Sequence, residues 1–313
     1  MSVGLVVQVV VSGLAAGAVY GLVAIGFSLV WRLTSVLQFA YGSIVGGSVF
    51  LTLVIAAGTG PVTASNASTA RFVLAAFVAL IAGAAAGAAM YLVVLRPFIR
   101  RGSMLGWIGA TVAVALAIEG ALAASFPRES YVLPDPLPFS RWRPISLGGG
   151  ATLPPRTLWV LGAGLLLAAL AGYVLTRTRF GVAVSAVSSE PLGAQVVGLP
   201  VDRLITAAFA VTGALAVAAG IVGTSGGPVT TGTGLSLGLK AIAAALLAGL
   251  GAPGRVFRAA LLLGVFEAAI VGLHVPGLPS LAFGPAWRDV GPIVLGLVVV
   301  ALRNTSLLRE PVE

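Results

Sequence analysis

The sequence predicts an all-α membrane protein, a single polytopic bundle of about eight to ten transmembrane helices over residues 1–313. Three observations predict it. Of 313 residues, 58% are hydrophobic and only 9% are charged, where soluble domains carry roughly 25% charged residues. Apolar runs near the length of a bilayer span recur along the chain. The basic residues gather in alternate connections between those runs.

A spanning helix needs roughly 20 mostly apolar residues. Successive runs cover Leu5–Val30, Phe39–Ala56, Phe72–Leu95, Leu105–Ser125, Leu158–Leu175 and Leu204–Gly223. A shorter run, Ser236–Leu250, precedes Val256–Leu273 and Val290–Leu302. The first is long and glycine-rich enough for a re-entrant piece followed by a span. It does not read as a cleaved signal, because the first basic residue is Arg32 and a positive leading region is missing. Small residues recur four apart at Gly13/Gly17/Gly21, Gly42/Gly46, Gly83/Gly87 and Gly234/Gly238, a spacing that lets helix backbones approach closely in lipid. They suit packing inside the bundle or a subunit interface.

The arginines orient the bundle. One set of connections holds Arg32, Arg96, Arg100, Arg101, Arg177, Arg179, Arg203, Arg255, Arg258, Arg303 and Arg309. The other holds Arg71, Arg128, Arg141, Arg143, Arg156 and Arg288. The richer set is expected on the cytoplasmic side, with the N-terminus outside and the C-terminus inside. On that reading the net charge of +9 sets topology and does not indicate nucleic-acid binding.

Two connections stand out. Residues 127–156 form an outer loop whose repeated prolines forbid a helix. Residues 177–203 form a cytoplasmic loop. Within it Pro191 suits the first turn of a short helix, Ser189 or Glu190 its cap, and Gly198 its stop. A short helix held between two spans on that side suits contact with a soluble partner.

Several chemistries are missing. With no Cys, disulfides, thiolate metal sites and Cys nucleophiles are excluded. The single His, His274, lies near a span end and reads as an interfacial residue. No metal site or cofactor is expected. The glycine-rich stretch 223–234 lacks the Lys of a phosphate loop and reads as an outer loop. What remains is a set of ionisable residues inside spans, Glu119, Lys240 and Glu267, which are costly in lipid and need partners. Lys240 precedes Gly251 by eleven residues and Glu267 follows Gly254 by thirteen. At about 1.5 Å per residue both sit roughly 16–20 Å from the short turn between their spans. A buried Lys240–Glu267 pair is expected, with Glu119 as a competing partner. Gln38, Tyr41 and Ser43, polar groups at the start of an apolar span, either line a translocation path or form a hydrogen-bonded helix entry.

Three stretches resemble the permease subunits of branched-chain amino acid ABC importers, and of the two permease types the shorter. Residues 17–48 are similar to the family's Tyr-containing, glycine-rich span. Gln38-Phe39-Ala40-Tyr41-Gly42 stands where the family has a motif like Asn-Phe-Ala-His-Gly. The cytoplasmic loop from Arg177-Thr178-Arg179-Phe180-Gly181 to Gly198-Leu199 looks like the family's coupling segment. Gly238-Leu239-Lys240-Ala241 through Gly249-Leu250-Gly251 and on to Glu267-Ala268 resembles the Leu-Lys-Ala and Gly-Gly-Leu-Gly pattern.

The resemblance implies an ABC importer permease fold in a bacterial inner membrane. It implies two cytoplasmic ATPase subunits, a second permease subunit that is a copy or a paralogue, and an external solute-binding protein. ATP is hydrolysed by the partners and not by this chain. The cargo implied is a branched-chain or hydrophobic amino acid. The alternatives are urea, a short amide or another small solute, or an autonomous secondary carrier or channel. Arg177, Phe180, Gly181, Glu190, Ala194 and Gly198 are the expected coupling residues, with Ala194 to Gly198 packed into a groove on the ATPase.

Overall fold

The computed structural model describes residues 3–58, 68–135, 137, 142–148, 150–272, 290–296 and 298. Helix α1 (Val3–Thr34) is one continuous helix, with no re-entrant break despite its length. It is apolar all round and every residue from Gly17 to Val30 is buried, which places it at the centre of the bundle. After it come α2 (Tyr41–Ala57) and α3 (Thr69–Ala89). A π-helical segment, Met90–Leu95, then leads into α4 (Arg96–Arg100).

Pro97 supplies the reason for the π segment. Proline has no N–H, and its ring crowds the carbonyl four residues back. The helix widens ahead of it, and the Arg96 N–H donates to the Tyr91 carbonyl, five residues back.

The chain continues through α5 (Met104–Ser125), β1 (Tyr131–Val132), β2 (Ile145–Gly148) and β3 (Ala151–Leu153). Next are α6 (Pro155–Arg177), α7 (Arg179–Ser189), α8 (Pro191–Val196) and α9 (Val201–Thr224). β4 (Pro228–Val229), α10 (Thr233–Leu247) and α11 (Pro253–Gly272) follow, and residues 290–296 are again helical. Among the described residues, five helices are long and apolar enough to cross a membrane: Val3–Thr34, Thr69–Arg100, Leu105–Ser125, Pro155–Arg177 and Val201–Thr224. α2 and α10 are shorter apolar helices packed among them. The protein is a multi-pass membrane protein.

Helix ends gather at two poles. At the sheet pole, β1 pairs antiparallel with β4 and β2 with β3. The proline-rich segment forms short strands there and no helix among the described residues. The arginine pole holds Arg32, Arg96, Arg100, Arg177, Arg179 and Arg203. Pro136, Pro138, Arg141, His274, Pro276, Arg288, Arg303, Arg309 and the end of the last apolar run lie outside the described residues.

The small-residue stripes are contacts within the bundle. Gly264 of α11 meets the backbone of Gly13 and Gly17 on α1 so closely that a Cβ would overlap it. Gly234 of α10 meets Gly42 and Gly46 of α2 in the same way, and Gly213 of α9 meets Gly83 and Gly87 of α3. No hydrophobic force drives helices together in lipid, so backbone contact at these crossings supplies much of the association.

Candidate functional site

At the arginine pole the chain from α6 to α9 forms a compact helical corner. Thr178 is extended (φ −97°, ψ 161°), which stops α6 and starts α7. Its hydroxyl donates to the Val174 carbonyl at 2.6 Å and accepts from the Gly181 N–H at 3.3 Å. A Cβ at Gly181 would overlap the Leu175 carbonyl, so only glycine permits so sharp a return. The Arg177-Thr178-Arg179-Phe180-Gly181 string is therefore a helix–helix corner. Phe180 packs against the buried cluster that holds Val184 and Val187, while Arg177 is exposed. α7 is an addition to the expected loop, in which only one short helix was anticipated.

Glu190 adopts an extended conformation between α7 and α8 and is itself exposed. Its side chain makes no capping bond, but its carbonyl accepts from the Ala194 N–H at 3.0 Å. Pro191 occupies the first turn of α8. Gly198, at φ 86°, closes the helix and donates to the Gln195 carbonyl.

Here the expected orientation of Ala194 is corrected. Ala194 is only 6% exposed and belongs to the same buried cluster as Leu29, Val184 and Ile205. The outward face of α8 is instead Leu192 (71% exposed), Val196 (88%) and Val197 (82%), beside Val182 of α7. The physical reason is rotation: Ala194 lies on the side of α8 that seats the corner on α7 and α9.

Asp202, missed in the sequence, anchors this corner to the π segment and α4. Its carboxylate accepts from Arg96 at 2.5 Å, Arg100 at 2.9 Å and the Tyr91 hydroxyl at 2.8 Å. Tyr91 lies in the π segment and its ring meets Phe209 at 5.3 Å between centroids. The available signal was a lone acid in the first turn of an apolar helix, opposite an arginine cluster.

The polar residues at the start of α2 are deeply buried. Gln38 and Tyr41 are 0% and 1% exposed. Neither the Gln38 side-chain atoms nor the Tyr41 hydroxyl find a hydrogen-bond partner among the described residues. The Tyr41 ring packs on Phe27 at 4.9 Å. Leaving such groups unsatisfied costs about 1–3 kcal/mol each, a cost that water or a passing solute relieves. Ser43, also buried, faces the carboxyl of Glu119 on α5.

The third feature joins α10, α11 and α1. Lys240 Nζ lies 3.0 Å from Glu267 Oε1, with both side chains 4% exposed. Lys240 also donates to the Tyr20 hydroxyl at 3.4 Å, and its ammonium lies 5.3 Å from the centre of that ring. Glu119, weighed as a competing partner, faces Ser43 instead.

A cavity of about 690 Å³ lies on the sheet-pole side of the pair. Its wall includes Arg156, Thr230, Ser236 and Lys240. A second cavity, of about 270 Å³, is lined by Gln8, Val9 and Glu267. Ser12 and Ala16 border both, so the ion pair sits at the partition between the two. Nearby, Asp135 approaches Arg156 from the loop after β1. Burial pushes its carboxyl above the ordinary value, and the Arg156 charge partly offsets that.

Comparison with known proteins decides the family. The family model described as branched-chain amino acid transport system / permease component matches residues 9–302. The chain belongs to this permease family. It is 28% identical over 309 residues to the high-affinity branched-chain amino acid transport system permease protein BraD of Pseudomonas aeruginosa, covering 97% of this chain and 96% of BraD. Identity to the corresponding protein LivH of Escherichia coli is 26% over 312 residues, covering 97% of this chain and 96% of LivH. The autoinducer 2 import system permease protein LsrC of Klebsiella pneumoniae is 35% identical over 156 residues, 49% of this chain and 44% of LsrC. The permease thus shares near full-length similarity with the first two and about half its length with the third.

Proposed function

We propose that this permease subunit forms half of the translocation path of a bacterial inner-membrane ABC importer and carries branched-chain amino acids. The observation that carries the reading is the end-to-end match to a branched-chain amino acid permease family, together with an apolar docking face at the arginine pole. That pole is cytoplasmic by its positive charge, which puts the N-terminus and the sheet pole outside.

Of the two ATPase subunits, one docks on this corner and the other on the second permease. Leu192, Val196 and Val197 enter a groove on the ATPase. Arg177, Phe180, Gly181, Glu190, Ala194 and Gly198 shape and hold the corner, with Ala194 acting from inside. The protein hydrolyses no ATP. A rigid-body shift of the corner reaches the pore through Asp202, the π segment and α9. Gln38, Tyr41 and Ser43 lie along the path. A second permease subunit supplies the other half, and an external binding protein docks on the 127–156 loop.

Purification in mild detergent tests this. Co-isolation of an ATPase, with uptake abolished by Val196→Asp while the complex still assembles, supports the reading. Uptake undiminished by that variant, or transport by this chain alone, refutes it.

A further inference from the structure

We infer that the 690 Å³ cavity is an entry vestibule that recognises its cargo by a carboxylate, received by Arg156 near the mouth and by Lys240 at the floor. This rests on the reading of the chain as an amino acid importer subunit.

The charge lining the wall is cationic, with the Asp135 carboxylate approaching Arg156 from beyond it. The wall's ionic side chains, among the described residues, are Arg156 and Lys240. Glu267 opens on the neighbouring cavity. Arg156 donates through Nη2 to the Gly223 carbonyl at 3.2 Å, while its Nε finds no partner among the described residues. A guanidinium offers five donors in a planar fork matched to a carboxylate, so most of its capacity is unspent. Helices α6 and α10 both begin at this cavity, and their positive ends add to the same potential. Hydroxyls of Thr157, Thr230 and Ser236 line the wall as further donors. Ala15, Val19, Val160 and Leu237 supply an apolar side for an aliphatic group. The volume lies within the range of about 300–1,000 Å³ typical of small-molecule sites.

The floor suits a carboxylate. Lys240 stands seven residues after Thr233, about 10 Å along α10 from the mouth. A cargo carboxylate arriving there competes with Glu267 for the Lys240 ammonium. A solute lacking the carboxylate has nothing to offer either cation.

The protein has no cysteine, so Ser236→Cys places a single thiol one turn from Lys240 on the same helix face. The importer, with its ATPases, second permease and binding protein, is placed in phosphatidylcholine vesicles. It is then labelled with methanethiosulfonates carrying either a sulfonate or a trimethylammonium group. Relative to their rates with free cysteine, the sulfonate reagent should react about tenfold faster than the cationic one. Excess leucine should slow that labelling and leucinamide should not. Arg156→Gln should abolish the charge preference. The first two readouts need no change at Arg156 and stand if that variant fails to assemble.

Equal rates, a preference for the cationic reagent, or no protection by leucine would overturn the inference. Protection that follows added phosphatidylglycerol and ignores leucine would assign the cavity to lipid phosphate and overturn it too. Leucine uptake by the unsubstituted importer in the same vesicles tests the importer reading separately.

Discussion

Lys240→Met leaves the Glu267 carboxylate in a site where its own side chain is 4% exposed and its cation is gone. The geometry sets the size of the effect. The pair is in contact at 3.0 Å, nearly dry, and braced by the Tyr20 hydroxyl and ring. Breaking a buried pair from one side costs about 3–5 kcal/mol, whereas replacing both members by groups of similar volume is often close to neutral. Lys240→Met and Glu267→Gln should each destabilise by that amount. The double variant should recover most of it; with about 1 kcal/mol left in the double, the coupling is about 5–9 kcal/mol, above the roughly 0.5–3 kcal/mol usual for directly interacting residues.

The assay is reversible unfolding of the purified chain in mixed micelles, followed by tryptophan fluorescence across a denaturant series for all four members of the cycle. Transport is read separately, because Lys240 also lines the vestibule. Additive single effects, with no coupling at these two positions, would refute the pairing. Equal coupling of Lys240 with Glu119 would do the same.

Three other expectations follow from the fold. Val196→Asp or Leu192→Asp should uncouple ATP hydrolysis from uptake at unchanged thermal stability, whereas Ala194→Leu should lower stability by about 1–3 kcal/mol through overpacking; a melt and an ATPase assay separate the two. Gly264→Leu should prevent α1 and α11 from meeting and abolish accumulation of folded protein, with Gly264→Ala intermediate, as measured by fluorescence-detected size exclusion. The Asp135 carboxyl is raised by burial, so its contribution to the sheet pole is fully present below the ordinary carboxylate value. That contribution is lost as pH rises through the raised value; hydrogen exchange at β1 and β4 should show greater protection at pH 4 than at pH 7, and Asp135→Asn should flatten the difference.

Hydropathy made most of the bundle legible, since a backbone in lipid has few alternatives to the helix. The positions of α2, α5, α6, α9, α10 and α11 follow their apolar runs within a few residues. Depth was legible too. Counting 1.5 Å per residue from the turn puts Lys240 and Glu267 level, and only their rotation about the helix axes is set by tertiary packing.

Rotation is also why Ala194 was misread. A six-residue helix shows no periodicity long enough to say which side faces the bundle. α7 escaped notice because the corner at Thr178 and Gly181 reads locally as a loop, and its helix exists through contacts of Val184 and Val187. Strands of two to four residues carry no alternation to detect. Asp202 is legible only once the π segment brings Tyr91 to it across 111 positions of sequence.

The most direct measurement of the central claim is leucine uptake into vesicles holding the assembled importer, with ATP inside and the loaded binding protein outside. The account predicts accumulation against a gradient that requires ATP hydrolysis, and near-complete loss of uptake with retained ATPase activity when Val196→Asp is introduced. Uptake that proceeds without ATP, or that survives this substitution unchanged, would contradict it.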